Sequence, residues 1–382
     1  MKILHASDLH LGKTLHERDL LADQAAMLDQ LRAAASDLDP AVLVIAGDVY
    51  DKAVPPPEAV GLFGDFLGKV KADRPDLTIL IIPGNHDSPA RLGFGDSLFR
   101  LAGVHVRTRA EEAGNPVTVD RDGERLHLWP LPFLGAGSFP DAPASQSGRF
   151  RAALDLLVPR LPDDGANVLV CHAYAAGGQG SESERVFLGA AELVDASGFD
   201  PFDYAALGHL HRAQKAGARG RYPGSPLGYS FSEAGQEKGF LLVDVRRGGF
   251  EAKTVPVRPL RPLARLSGPY ASFLDGGSDL PERDHYLEIL LTDPEPVVSP
   301  VETLRRVFPN LLSLRQAAFE NPGAGAPGET GDAPEFPAAR DGAEAALEDF
   351  VSFHRAVRGS DPEEPILELF RELLAEAADA SP

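Results

Sequence analysis

Five short aliphatic runs in this chain stop abruptly at a turn carrying an acid, an amide or a histidine. The first three, Lys2–Ser7, Ala41–Ala46 and Leu77–Pro83, run into Asp8-Leu9-His10, Gly47-Asp48-Val49-Tyr50-Asp51 and Gly84-Asn85-His86-Asp87. Two more end at His172 and at Gly208-His209-Leu210-His211. Strands this apolar must be covered on both faces, the signature of a sheet buried between layers. Between the first three, Leu20–Ala35 and Glu58–Lys71 repeat apolar residues at helical spacing, as at Met27, Leu28 and Leu31. Strand, helix, strand in this order predicts βαβ units. Open sheets of that kind place their sites beyond the carboxyl ends of the strands, where these turns fall. Later runs, Arg125–Leu131, Asn167–Cys171, Phe240–Val245 and Phe250–Val257, are separated by turn-rich segments and read as more antiparallel. Arg246–Gly249 reads as a hairpin turn. The expected fold class is therefore α/β, a mixed two-sheet sandwich.

A second, smaller α+β unit is expected from about Ser267, with a strand at His285–Thr292, a short helix after Pro300 and a strand at Leu311–Phe319. Residues 321–342 hold five glycines and four prolines and read as a flexible linker. Beyond them, Ala343–Val357 and Glu364–Ala378 are expected to be amphipathic helices. One apolar face carries Leu347, Phe350, Val351 and His354, the other Ile366, Leu367, Phe370 and Leu374. Two short helices make little core alone, so they are expected to dock on a partner, with docking on this chain as the alternative.

Charge and cysteine usage exclude several classes. Among 382 residues there are 37 Lys and Arg against 57 Asp and Glu, a net charge of −20. Residues 317–382 contribute 15 acids and 4 bases, or −11, leaving −9 for the rest. Such a surface does not draw in a polyanion unaided. A single cysteine, Cys171, permits no internal disulfide and no thiolate zinc site. Cys171 beside His172 invites a thiol-nucleophile reading, but neighbours on a strand face opposite ways, which sends the thiol into the core. No apolar run approaches ~18 residues, so no membrane helix is expected. Asp8 and His10 interrupt any signal peptide, and a cytoplasmic location is the expectation.

Each polar turn alone is weak, because a histidine or aspartate at a strand end is commonly a cap or a packed residue. Their conjunction is informative, since five of the eleven histidines fall in these turns. Asp8, His10, Asp48, Asn85, His172, His209 and His211 form a carboxylate, amide and imidazole set without thiolates, suited to Mn²⁺, Fe²⁺ or Zn²⁺ at a catalytic site. Seven ligands exceed one ion's need. They suit two ions ~3.5–4 Å apart with a shared carboxylate.

The order DxH, GDxxD, GNHD, a lone His and GHxH resembles the calcineurin-like metallophosphoesterase family. ILHASDLHLG, IAGDVYD, IPGNHDS and ALGHLHRAQ with YPGSPLGYSF are similar to its SbcD-type DNA nuclease branch, the bacterial counterpart of the Mre nuclease. The resemblance implies that Asp8, His10, Asp48 and His211 hold one metal and that Asp48, Asn85, His172 and His209 hold the other. It implies that His86 protonates the leaving oxygen and that the Asp51 carboxylate orients His86. It further implies two divalent ions, manganese foremost, and a phosphoesterase domain over 1–266. A capping domain over 267–320, a linker over 321–342 and a partner-binding tail over 343–382 follow.

The implied activity is 3′-to-5′ double-strand exonuclease and hairpin endonuclease cleavage in DNA repair, recombination and replication. The implied partners are an SbcC-type coiled-coil ATPase, DNA ends and hairpins, and a second copy of the chain within a heterotetramer, with no membrane. Lys13, Arg18, Lys52, Arg91, Arg212 and Lys215 flank the motifs and are the expected DNA contacts, ordinary solvated charge being the alternative. The competing functions are a stand-alone phosphodiesterase on small nucleotides and a non-catalytic scaffold, to which a positioned His86 would be of no use.

Overall fold

The computed structural model describes residues 1–182 and 193–320, together with 347, 350, 351, 362, 364 and 366–371. The chain divides into two compact units, Met1–Pro322 and Gly323–Pro382.

In the first unit the strands are β1 (Lys2–Ala6), β2 (Thr14–Leu15), β3 (Arg18–Asp19), β4 (Val42–Ala46), β5 (Thr78–Ile82) and β6 (Val104–Val106). They continue as β7 (Val117–Arg121), β8 (Glu124–Leu131), β9 (Ala166–His172), β10 (Tyr204–Gly208), β11 (Gln214–Ala216) and β12 (Gly220–Tyr222). The last five are β13 (Gly239–Arg246), β14 (Gly249–Pro256), β15 (Leu263–Gly268), β16 (Tyr286–Leu291) and β17 (Leu311–Gln316). One six-stranded sheet runs β14-β13-β1-β4-β5-β6 and a second runs β11-β12-β10-β9-β8-β7. In the first, β1, β4, β5 and β6 are parallel, because the helices Leu21–Asp37 and Pro57–Asp73 make the crossovers.

The expectation of antiparallel pairing in the later strands holds for β13 and β14, joined at Arg246–Gly249, but not for β8 and β9. Those two pair in parallel, since the helix Gln146–Leu157 between them returns the chain to its starting edge. β9 and β10 are parallel as well.

Alternation along β4 shows how the layers are built. Val42, Val44 and Ala46 join Ile3, Leu80, Val168 and Val170 between the two sheets, while Leu43 and Ile45 pack outward against Met27, Leu31 and Phe63 of the helices. A matching outer layer covers the second sheet with Phe150, Leu157, Phe199 and Phe202. Cys171 sits in that layer, and burial pushes its thiol upward, away from nucleophilic use.

The smaller sheet, β15-β16-β17, packs with the helix Pro300–Val307 around Phe273, Leu304 and Phe308. Its first strand starts at Leu263, ahead of the expected boundary at Ser267, because β15 pairs with β16 and not with the large sheets. The expected strand at Leu311–Phe319 stops at Gln316 and gives way to a helical turn, Ala317–Glu320. Tyr286 of β16 donates to Asp23 at 2.8 Å, and Arg261 reaches the same carboxylate at 3.2 Å, tying this sheet to the first large helix.

In the second unit, helical backbone is present at Leu347, Phe350, Val351, Glu364 and residues 366–371. Phe350 and Phe370 stack with centroids 4.1 Å apart, so the two expected apolar faces meet each other. Arg371 pairs with Glu364 at 3.0 Å. The expected linker at 321–342 and His354 and Leu374 lie outside the described residues.

Candidate metal centre

The carboxyl ends of β1, β4, β5, β9 and β10 converge where the two large sheets approach each other. The approach is tight at Gly208, whose missing Cβ would lie 1.8 Å from the Ala46 carbonyl oxygen. Gly84 has a similar duty, since a Cβ there would fall 2.1 Å from Asp48 Oδ1. Any side chain at either position would push the ligand loops apart. The loops themselves are strained. Asp8, His10, Asp48 and His209 all adopt positive φ, at 54°, 44°, 50° and 114°. Four left-handed non-glycine residues in one cluster are held by surrounding bonds, as is usual where strain serves a site. Asp8 N–H donates to the Gly47 carbonyl and His10 N–H to the Asp48 carbonyl, each at 3.0 Å. His209 N–H donates to the Asp8 carboxylate at 3.0 Å.

The structure brings all seven expected ligand residues together, six of them buried and Asn85 partly so. His10 Nε2 and His211 Nε2 face each other at 3.0 Å. Asn85 Oδ1 lies 3.0 Å from both His172 Nε2 and His209 Nδ1, which are themselves 3.3 Å apart. Asp48 Oδ2 is 3.4 Å from His172 Nε2 and 3.8 Å from His10 Nε2, so this carboxylate stands between the two groups of rings. Asp8, His10 and His211 present atoms within 4.8 Å of one another, as do Asp8, Asp48 and His172. With metal–nitrogen bonds of ~2.1 Å, ligands around one ion lie about 3.0–3.4 Å apart, the spacing these donor atoms adopt except between Asp48 and His10 at 3.8 Å. The residues fit a pair of divalent cations.

Electrostatics favour ligation by His10 and His209, whereas His172 keeps a proton beside Asp48 that a bound cation would displace. Burial pushes His10 down to about 4, and burial with the neighbouring His172 holds His209 down to about 3, leaving neutral imidazoles with lone pairs to offer. Burial raises the Asp8 carboxyl, which accepts a backbone N–H in place of water. Asp48 is held well below the usual carboxylate range despite its burial, chiefly by His172, and His172 against its own burial is carried up to about 9 by Asp48. His172 Nδ1–H donates to the Ala46 carbonyl at 2.9 Å, which turns Nε2 toward the site.

His86 is half-buried at the rim, its ring edge-on to His10 with centroids 4.7 Å apart. Its Nδ1–H donates to Asp51 at 2.8 Å, but through the main-chain carbonyl and not through the expected carboxylate. The Asp51 carboxylate accepts from Lys13 Nζ at 2.7 Å and stands 3.5 Å from His10 Nδ1. Lys13 is thereby turned inward onto Asp51 and is only 16% exposed. Arg18, Lys52, Arg91, Arg212 and Lys215 are exposed, and Arg212 donates to Gln179 at 2.9 Å.

Several supporting residues were not assigned a role from the sequence. Asp87, the last residue of GNHD, accepts N–H bonds from Val49, Tyr50 and Gly84 at 2.9–3.0 Å and so staples two ligand loops; burial and the nearby Asp48 push it up to about 6. Gln24, on the buried face of Leu21–Asp37, donates to the His10 carbonyl at 2.7 Å and accepts from Gly12 N–H. Tyr229 bonds the Leu9 carbonyl through its hydroxyl and lays its ring against His10 and His211. A polar residue inside an apolar helical face was the only available sign for Gln24.

Residues 1–213, more than half of the chain, match the calcineurin-like phosphoesterase family. Residues 259–335 match the SbcD_C family, described as the type 5 capsule protein repressor C-terminal domain. Among solved structures the chain is similar to TT1561 of Thermus thermophilus, at 15% identity over 66% of this chain and 98% of that one, with a TM-score of 0.38. It is also similar to GAP50, the anchor in the inner membrane complex of Plasmodium, at 12% identity over 67% and 84%, again with a TM-score of 0.38. Both overlaps are too loose to bear on function.

Proposed function

The chain belongs to the calcineurin-like phosphoesterase family, and from that premise we propose that this metal-dependent phosphoesterase is the DNA nuclease subunit of an SbcC-type ATPase complex. The observation that carries the reading is the coupling of a convergent carboxylate, amide and imidazole cluster to a following segment that matches the SbcD_C family. Asp8, His10, Asp48 and His211 would hold one divalent ion and Asp48, Asn85, His172 and His209 the other, manganese in both. Bound ions of this kind supply Lewis acidity toward a phosphodiester and a nucleophilic water at neutral pH.

The protein's own part is positioning and proton transfer. His86, with Nδ1–H committed to the Asp51 carbonyl, carries Nε2 on the opposite side of its ring; as an imidazolium it would pass the Nε2 proton to the departing 3′ or 5′ oxygen and be left neutral. Exposed Lys52, Arg91, Arg212 and Lys215 stand beside the ligand loops, able to set the register of a phosphate backbone. A chain of charge −20 needs help to hold DNA, which an ATPase partner would supply. Phe94, Leu98 and Leu101, 84%, 70% and 87% exposed just beyond GNHD, offer a second copy an apolar surface to cover. Among the described residues no helix is long and apolar enough to cross a membrane.

The test is Mn²⁺-dependent digestion of end-labelled duplex DNA by the chain alone and with its SbcC-type partner, beside His86→Ala. Digestion should rise with the partner and fall by at least about 100-fold in the variant at unchanged metal content. Intact DNA in every mixture, with cleavage of a cyclic nucleotide, would transfer the protein to the small-nucleotide phosphodiesterases.

A further inference from the structure

The rings of His10 and His211 meet at their Nε2 atoms, and behind each ring a carboxylate faces Nδ1, partly buried behind His10 and fully buried behind His211. Behind His10 it is Asp51, paired with Lys13. Behind His211 it is Glu233, which lies far from every ligand motif in sequence. The tight turn Phe231–Glu233, closed by Ser230 accepting from Ser232 N–H, aims the Glu233 side chain back into the protein. Its carboxylate is inaccessible to solvent and stands 3.5 Å from His211 Nδ1. Lys238 Nζ lies 2.5 Å from the other carboxylate oxygen and also donates to the His211 main-chain carbonyl at 2.8 Å and to Ser225 at 3.1 Å. The pair therefore grips His211 at both ends, ring and backbone.

A buried ion pair adds little to stability over an apolar replacement, so stability alone does not account for this one. A carboxylate behind an imidazole selects the Nδ1–H tautomer, frees the Nε2 lone pair and raises ligand basicity. The lysine fixes the carboxylate in place from its other side.

We propose that Glu233, held by Lys238, is a positioning residue that fixes the tautomer and aim of His211 for one of the two cations. This rests on the metal reading above and adds a role for a residue outside the donor set. It requires the two sites to respond unequally, because the rings of His172 and His209 do not meet Glu233 among the contacts described.

The test is calorimetric titration of metal-free full-length protein with Mn²⁺, for the parent, Glu233→Gln and the double variant Glu233→Gln/Lys238→Met, alongside thermal unfolding of each metal-free protein. The parent should show two sites. Glu233→Gln should weaken one by about 10–100-fold and leave the other within about twofold. The double variant removes both charges, so it should regain stability without regaining the weakened site. Selective ¹⁵N labelling of histidine should show one ring leaving the Nδ1–H tautomer in both variants. Unchanged affinities, equal weakening of both sites, or recovery in the double variant would overturn the assignment by making Glu233 a mere partner for a buried charge. A parent that binds no Mn²⁺ would instead sink the metal reading itself.

Discussion

His5 gives the sharpest test of how the sandwich is held together, because it places a titratable ring where no water reaches. It sits on β1 between the two sheets, fully buried, with Nδ1 2.9 Å from the Tyr204 hydroxyl. Burial drives its pKa down from 6.5 to about 3, the neighbouring Leu207 backbone opposing only weakly. The unfolded chain thus takes up a proton near pH 6.5 that the folded chain refuses until about pH 3. Stability from this group is complete above pH 6.5 and drains away as the pH falls toward 3, at about 1.4 kcal/mol per pH unit. Two units below 6.5, at pH 4.5, the loss reaches about 2.7 kcal/mol. His5→Asn keeps an acceptor for Tyr204 but cannot titrate. It should be less stable than the parent at pH 7.5, by about 1–2 kcal/mol for the smaller side chain. From there to pH 4.5 its urea-unfolding free energy should fall less steeply, by about 2.7 kcal/mol relative to the parent, enough to make His5→Asn the more stable of the two. Titrations elsewhere are common to both proteins and cancel in the difference. Parallel pH profiles would refute the neutral, buried His5.

Gly208→Ala should lower the thermal midpoint by an amount equivalent to about 1–3 kcal/mol or more and abolish Mn²⁺ binding in calorimetry, because its Cβ would collide with the Ala46 carbonyl between the sheets. Phe308→Ala empties the centre of the small sheet's core, where the ring packs on Phe273, and should cost about 3–5 kcal/mol in urea unfolding while leaving Mn²⁺ affinity unchanged.

What the sequence made legible follows from where the physics is local. The first three strands and both crossover helices were readable because each spans an uninterrupted periodic run, and the ligand loops were readable because a strand's end is also where its apolar run ends. Pairing partners are not local. Whether β9 lies parallel or antiparallel to β8 is decided by the Gln146–Leu157 helix carrying the chain back across the sheet, and no residue in either strand records that. The start of the small sheet was missed for the same reason, since Leu263–Gly268 earns its place only by pairing with β16.

The same division runs through the site. Residues that would touch metal announce themselves by chemical type, a carboxylate or imidazole at a strand end. The residues that aim them do not, because their selection is by position alone. Asp51 shows the difference within one side chain: its carboxylate, expected on His86, turns to Lys13 and His10, while a main-chain carbonyl, common to every residue type, takes the His86 proton. A substitution such as Asp51→Asn should therefore leave the His86 bond in place and disturb His10 instead. Glu233 is the extreme case, reaching His211 across 22 positions of sequence through a turn that has no catalytic signature. Donor chemistry can be read along a chain, whereas the orientation of those donors is a property of the assembled layers.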